Sequence, residues 1–301
     1  MFGLTFLGTS ASVPSAGRNH PGLLVEAGGD RILVDCGEGT QRQLLRSGAG
    51  FRRLDRLLLT HGHFDHVLGI PGLLSTLRLR QSVEVMRIHG GAGTLDVVAR
   101  MLAGLWGEGR GPIPLELIPL KEGRVVDAKD FTIDCFRVRH RDTDSFGFCF
   151  ESQARRHLLL DRLLALGVPD GPVRKALSEG KPVKLEDGRT IDPEDVLGPP
   201  AKRKKLVVVG DAETTDGLYE QVRDAEALVI EATFLDRDSA MASDYGHLTA
   251  AKVAELAARG NVRQLVMTHI SGRYPEEEIL AEAMRMFPNS RVAADFDHIV
   301  I

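Results

Sequence analysis

Short apolar runs alternate with segments of helical period along most of the chain. Leu4 to Leu7, Leu23 to Val25, Ile32 to Val34, Leu57 to Leu59, Val207 to Val209, Leu228 to Ile230 and Leu265 to Met267 are apolar at almost every consecutive position. Such runs predict strands covered on both faces. Helical patterns occupy Thr40 to Leu45, Ile70 to Leu79, Thr94 to Leu105, Thr249 to Ala258 and Glu276 to Met286. Thr249 suits an N-cap, and Gly260 a C-terminal stop. Pro275 followed by Glu276, Glu277 and Glu278 starts another helix, with negative charge at the positive end of its dipole. Strands alternating with helices imply an α/β class whose sheets are covered by helices.

Residues 152–205 break this rhythm. Gly167, Pro169, Gly171, Pro172, Gly180, Pro182, Gly188, Pro193, Gly198, Pro199 and Pro200 crowd into the segment, which reads as an extended arm more than a second core. It holds twelve Lys and Arg against eight Asp and Glu, in a chain whose net charge is −4. Taken alone, that is a solvated insertion. A polyanionic partner would have to be held by a local patch of this kind, since the whole chain has no positive field.

Composition narrows the class further. With 43% hydrophobic and 27% charged residues, the chain has material for a sizeable core, and disorder is excluded. Its apolar runs fall far short of the roughly 20 residues that span a bilayer. The opening MFGLTFLG lacks the basic flank and long apolar stretch of a signal peptide. Cys36, Cys135 and Cys149 cannot all pair, and no CxxC is present, so a reducing, cytoplasmic setting is expected.

The candidate chemistry stands at the ends of the apolar runs. Leu59-Thr60 leads into His61-Gly62-His63-Phe64-Asp65-His66, Val209-Gly210 into Asp211, Met267-Thr268 into His269, Val34 into Asp35, and Ile230 into Glu231. In open α/β sheets, functional groups gather outside the carboxyl ends of strands. In extended backbone His61 and His63 point the same way and can grip one ion. A turn into the helix near Ile70 would aim Asp65 and His66 at a second point. Imidazole with carboxylate and no thiolate suits Zn²⁺ or a similar divalent ion such as Mn²⁺. A helix-capping loop that is His-rich by accident is the bland alternative, and four such residues in six positions argue against it. His140, His247 and His269 would be unremarked as isolated histidines, but His140 follows the alternating stretch Phe131 to Val138 and His269 ends a buried run. Asp211 can bridge two ions or simply cap a turn. His20, His89, His157 and His298 have no supporting context and read as structural or solvent-exposed.

These residues resemble the metallo-β-lactamase fold and, within it, the tRNA 3′-processing endonucleases of the ribonuclease Z family. The similarity runs over nearly the whole chain. It includes Phe6-Leu7-Gly8-Thr9-Ser10, Asp35-Cys36-Gly37-Glu38-Gly39-Thr40-Gln41, the His61 to His66 cluster with Gly69-Ile70-Pro71-Gly72-Leu73, and His140, Asp211 and His269 to Tyr274. Glu231-Ala232-Thr233 and His247 resemble the Glu and His elements that set these nucleases apart within the superfamily. The resemblance implies an αββα sandwich formed as a single domain over residues 1–301, with residues 152–205 as an inserted flexible exosite arm.

It further implies two Zn²⁺ per subunit, with Mn²⁺ or another divalent ion as an alternative. His61, His63 and His140 would hold one and Asp65, His66 and His269 the other, with Asp211 bridging and Asp35 orienting the histidines from behind. Asp65, His247 and Glu231 would carry catalysis. Arg273, with Gly167, Pro169, Gly171 and Pro172 at the arm's tip, would contact substrate. The expected partner is precursor tRNA, cut by water attack to leave a 3′-OH on the tRNA and a 5′-phosphate on the trailer, in a homodimer away from membranes. Phe64, Ala212 and Leu248 stand where the family commonly has Gly, Thr and Ser. Two other readings remain at this stage: a hydrolase of small phosphodiesters or other esters on the same fold, and a non-catalytic, metal-stabilised RNA-binding protein.

Overall fold

The computed structural model describes residues 1–109, 111–154 and 156–301; Arg110 and Arg155, the latter counted above among the basic residues of the insertion, lie outside the described residues. Two compact units result, one formed by Met1–Glu151 with Lys204–Ile301 and the other by Ser152–Arg203. Among the described residues no helix is long and apolar enough to cross a membrane.

In the larger unit, β1 (Phe2–Gly8), β2 (Gly22–Ala27), β3 (Asp30–Val34), β4 (Arg56–Leu58), β5 (Met86–Gly90) and β6 (Leu115–Pro119) pair in that order, and His298–Val300 flanks β1. A second seven-stranded sheet runs from β7 (Gly123–Asp127) through β8 (Phe131–Arg137), β9 (Phe146–Ser152), Lys205–Val208, Ala227–Glu231 and Leu265–Thr268 to Ser290–Val292. The consecutive apolar residues divide between the two faces of each sheet. Leu4, Phe6, Val25, Phe148, Val208 and Val229 meet between the sheets. On the outer face of the first sheet, Leu24, Leu33 and Leu57 pack with Leu44, Leu73, Leu77 and Val98. Leu44 comes from α1 (Thr40–Arg46), Leu73 and Leu77 from α3 (Ile70–Arg80), which follows a one-turn α2 (Phe64–Val67), and Val98 from α4 (Ala92–Trp106). On the outer face of the second sheet, Leu228 and Ile230 pack with Val253, Ala257 and Ile279 of helices Ala250–Arg259 and Glu276–Met284. The layers are therefore helix, sheet, sheet, helix. Each fully buried Phe or Leu side chain contributes roughly 1.5–3 kcal/mol, so all three apolar layers support the fold.

Helix ends follow the local sequence. Thr249 accepts a hydrogen bond from the Lys252 amide, and Gly260 closes that helix. Three glutamates fill the first turn after Pro275.

The smaller unit is not wholly extended. Helices Leu160–Ala165, Pro172–Ser178 and Pro193–Val196 lie among two short strand pairs. Leu163, Val168, Leu177, Ile191 and Val196, spaced between the Gly and Pro breakers, gather into a small apolar cluster.

Parallel pairing brings strand ends to one edge. β3 pairs with β4 so that Val34 stands opposite Leu58, and Ala227–Glu231 is parallel to both of its neighbours. The turn after β3 is stitched to α2 by Cys36 N–H to the His66 carbonyl at 2.8 Å and Gly69 N–H to the Cys36 carbonyl at 2.9 Å. That closeness requires glycine at 69, where a Cβ would stand 2.0 Å from the Gly37 carbonyl oxygen. Gly69→Ala is expected to destabilise the fold by about 1–3 kcal/mol, the usual cost of overpacking. A lowered urea midpoint at unchanged slope would show it; an unchanged midpoint would mean that the two loops are not held this closely.

Candidate metal centre

His61 and His63 lie on the extended stretch after β4, and His63 is the N-cap of α2. Asp65 and His66 sit on α2 itself rather than on a turn running into the helix at Ile70. Asp211 follows Gly210 beyond strand Lys205–Val208, and His269 follows strand Leu265–Thr268 with a left-handed backbone, φ 55°. His140 follows β8.

Side chains from these separate places converge. His61, His63, His140 and Asp211 form one grouping in which one donor atom from each lies within 4.8 Å of the others, and Asp65, His66 and His269 form another. Asp211 links them. Its Oδ2 is 3.6 Å from His61 Nε2, 3.5 Å from His66 Nε2 and 3.8 Å from His140 Nε2, and its Oδ1 is 3.3 Å from His269 Nε2.

Hydrogen bonds behind the cluster fix which ring nitrogen faces it. Asp35 accepts from the Thr60 amide, the Thr60 hydroxyl and His66 Nδ1, all at 2.8 Å. Because its proton goes to Asp35, Thr60 Oγ1 serves as acceptor for His61 Nδ1 at 3.1 Å. His140 Nδ1 donates to the Gly246 carbonyl at 2.8 Å. On the other sheet Glu231 repeats the arrangement: Thr233 Oγ1 donates to its Oε2 at 2.6 Å and accepts from His269 Nδ1–H at 3.0 Å. Each of these imidazoles is thereby turned with Nε2 toward the cluster, the nitrogen that would meet a metal.

The donors fit divalent ions. His61 Nε2, His66 Nε2 and Asp211 Oδ1 are buried with no hydrogen-bond partner, which is costly unless something positive lies between them. Burial, with the charges of neighbouring histidines, lowers the pKa of His61 and His63 despite Asp211, and burial lowers that of His140. His66 is the exception: burial opposes its charge, but Asp211 and Asp35 together hold it well above the ordinary value. Asp65 and Asp211 are both driven below the usual carboxylate range despite burial, chiefly by the surrounding histidines. The Ser12 amide donates to Asp65 Oδ2 at 3.1 Å, adding to its anionic character.

His247 is different. Its ring lies 5.4 Å from that of His140 and 5.3 Å from that of His269, and it forms a third close grouping with Asp211 and His269. Its Nδ1 is 2.9 Å from Glu231 Oε1 in a buried pair. Burial alone would lower its pKa, but the Glu231 charge and hydrogen bond outweigh that and hold it near 9.

Other expected residues lie elsewhere. Arg273 is exposed outside these groupings. Gly167, Pro169, Gly171 and Pro172 belong to the smaller unit, where Gly171 caps helix Pro172–Ser178. His20 is buried with Nε2 3.2 Å from the Ser12 carbonyl, and His89 is buried in β5. His157 and His298 are exposed. Ala212 still donates its amide to Glu231 Oε1 at 2.8 Å, and Leu248 is core. Thr60, Thr233 and Gly246 have hydrogen-bonding roles here that the sequence alone did not assign to them. Thr60 had a visible signal, standing between a buried run and the first histidine.

An αββα fold with this histidine and aspartate centre at the strand ends defines a metallo-β-lactamase-like hydrolase. A family model described as anti-Pycsar protein Apyc1 matches residues 2–159. A ribonuclease Z from Bradyrhizobium diazoefficiens is 75% identical over 100% of both chains. The solved short form of human tRNase Z is 25% identical with a TM-score of 0.68, covering 99% of each chain. The Bacillus subtilis metallo-β-lactamase fold protein YhfI, 17% identical with a TM-score of 0.71 over 99% of this chain and 98% of that one, shares the fold. Identity that extends through the second sheet and the insertion decides the matter: the chain belongs to the ribonuclease Z family of metal-dependent tRNA endonucleases.

The threonine relay can be tested separately from the ligands. Thr233→Val should weaken metal retention by about 10–100-fold, as loss of outer hydrogen bonds usually does, while Thr233→Ser should retain it. Competition with a chromogenic chelator measures both, and equal affinity in Thr233→Val would show that His269 needs no such support.

Proposed function

We propose that this chain removes 3′ trailers from precursor tRNA, using two Zn²⁺ ions per subunit, for which Mn²⁺ or another divalent ion can substitute. The buried Glu231–His247 pair set against the histidine and aspartate centre carries this reading. When bound, the ions supply Lewis-acid charge at the phosphate and make an attacking water available near neutral pH. His61, His63 and His140 would hold one ion, and Asp65, His66 and His269 the other, with Asp211 between them.

The remaining work falls to the chain's own groups. Asp65, kept anionic, orients the attacking water or accepts its proton. Glu231 holds Nδ1–H of His247, so Nε2–H is available to the leaving 3′-oxygen. The products are a tRNA ending in 3′-OH and a trailer beginning with 5′-phosphate.

Residues 152–205 act in this reading as an exosite for the folded part of the tRNA. Their basic excess on an acidic chain puts phosphate-neutralising charge on the insertion without making the catalytic unit adhesive. Gly167, Pro169, Gly171 and Pro172 form its contact tip, and Arg273 contacts RNA near the centre. The enzyme works as a cytoplasmic homodimer, each insertion serving the partner subunit.

His247→Ala should lower turnover by about 10²–10⁴-fold, the range for a lost general acid, with metal content per chain unchanged. Loss of metal in that variant would place His247 among the ligands. Replacing residues 153–203 with a short Gly-Ser linker should reduce precursor-tRNA cleavage at least about tenfold more than hydrolysis of a small chromogenic phosphodiester. Equal losses on both substrates would remove the exosite role.

A further inference from the structure

Phe64 is 69% exposed, while every other described phenylalanine is buried or half-buried. A side chain this exposed buries little apolar surface, so core packing does not account for the ring. Its neighbours fix where it stands. His63 ends the extended stretch, Phe64 begins α2, and Asp65 and His66 turn inward to the centre. Successive helical residues are about 100° apart, so with residues 65 and 66 facing inward the Phe64 ring leaves α2 on another side, next in sequence to His63 and Asp65 of the cluster. No aromatic ring among the described residues packs on it. Tyr245, the other exposed aromatic near the site, differs: it stacks on Phe234 at 6.3 Å and 15°. Leu68, one turn further along the same side, is 44% exposed.

We propose that Phe64 is a specificity residue, a platform on which an unpaired base adjoining the scissile phosphate stacks. This deepens the nuclease reading and rests on it. With the phosphate at the centre, the nucleosides on either side must leave across its rim, and a flat apolar face there rewards a base that has left its helix. Aromatic stacking tolerates any base identity, because every base has a π-face. The residue therefore selects single-stranded RNA at the cut without selecting sequence.

A coupling experiment tests this. Wild type, Phe64→Ala and Phe64→Trp, each loaded with metal, are assayed on precursor tRNA that is intact or abasic at the nucleotide immediately 5′ or 3′ of the cleaved bond. Phe64→Ala is expected to lower kcat/KM about tenfold on intact substrate, and Phe64→Trp to preserve it. At one flank the abasic substrate should lower wild type similarly and leave Phe64→Ala no further loss. A 2-aminopurine at that flank should be quenched on binding to chelator-treated wild type and not to Phe64→Ala. Additive losses at both flanks, or no loss in Phe64→Ala, would overturn the stacking role while leaving the nuclease reading intact. Failure of wild type to cleave precursor tRNA would overturn both.

Discussion

Two buried carboxylates, one from each sheet, hold this centre in shape. Asp35 and Glu231 are 5% and 0% exposed, and neither faces the cluster directly. Each works through a threonine, Thr60 or Thr233, and each also binds one histidine ring itself. Placing such charge away from water is expensive unless every lone pair is occupied. Here the occupants are the Nδ1–H and hydroxyl groups that turn the inward nitrogens toward Asp211. Ligand geometry and the orientation of His247 therefore share one hydrogen-bonded frame, and the two sheets must pack in register for it to form.

Backbone strain appears at the same place. Asp35 and His269 both adopt positive φ, 58° and 55°, a region that non-glycine residues seldom occupy. Each is the first residue beyond a buried strand, where the chain must turn sharply to keep its side chain on the edge. Sheet packing and the networks around Asp35 and Thr233 hold these turns in place, in keeping with strain concentrated at functional sites.

The layered fold was legible in the sequence because buried strands of an α/β sheet are apolar on both faces and need no tertiary information to be seen. The His61 to His66 cluster was legible because its residues are adjacent, and His269 and Asp211 because they end apolar runs. α2 was not foreseen, since four residues are too few to show a helical period. Thr60 and Thr233 were not assigned roles because a hydroxyl relay exists only once a carboxylate and a ring from distant segments meet on it. His247 follows a short helix rather than a strand, and resemblance alone pointed to it. The small apolar cluster of the insertion was hidden by its breakers, which mark turns but do not forbid Leu163, Leu177 and Val196 from meeting.

The central claim is that these frames aim imidazole and carboxylate donors at two metal positions joined by Asp211. Anomalous diffraction from crystals grown with Zn²⁺, recorded on both sides of the zinc absorption edge, tests it most directly. Two peaks are expected, one ligated by His61, His63, His140 and Asp211 and the other by Asp65, His66, His269 and Asp211. A single peak held by His247, or zinc bound only outside this centre, would contradict it.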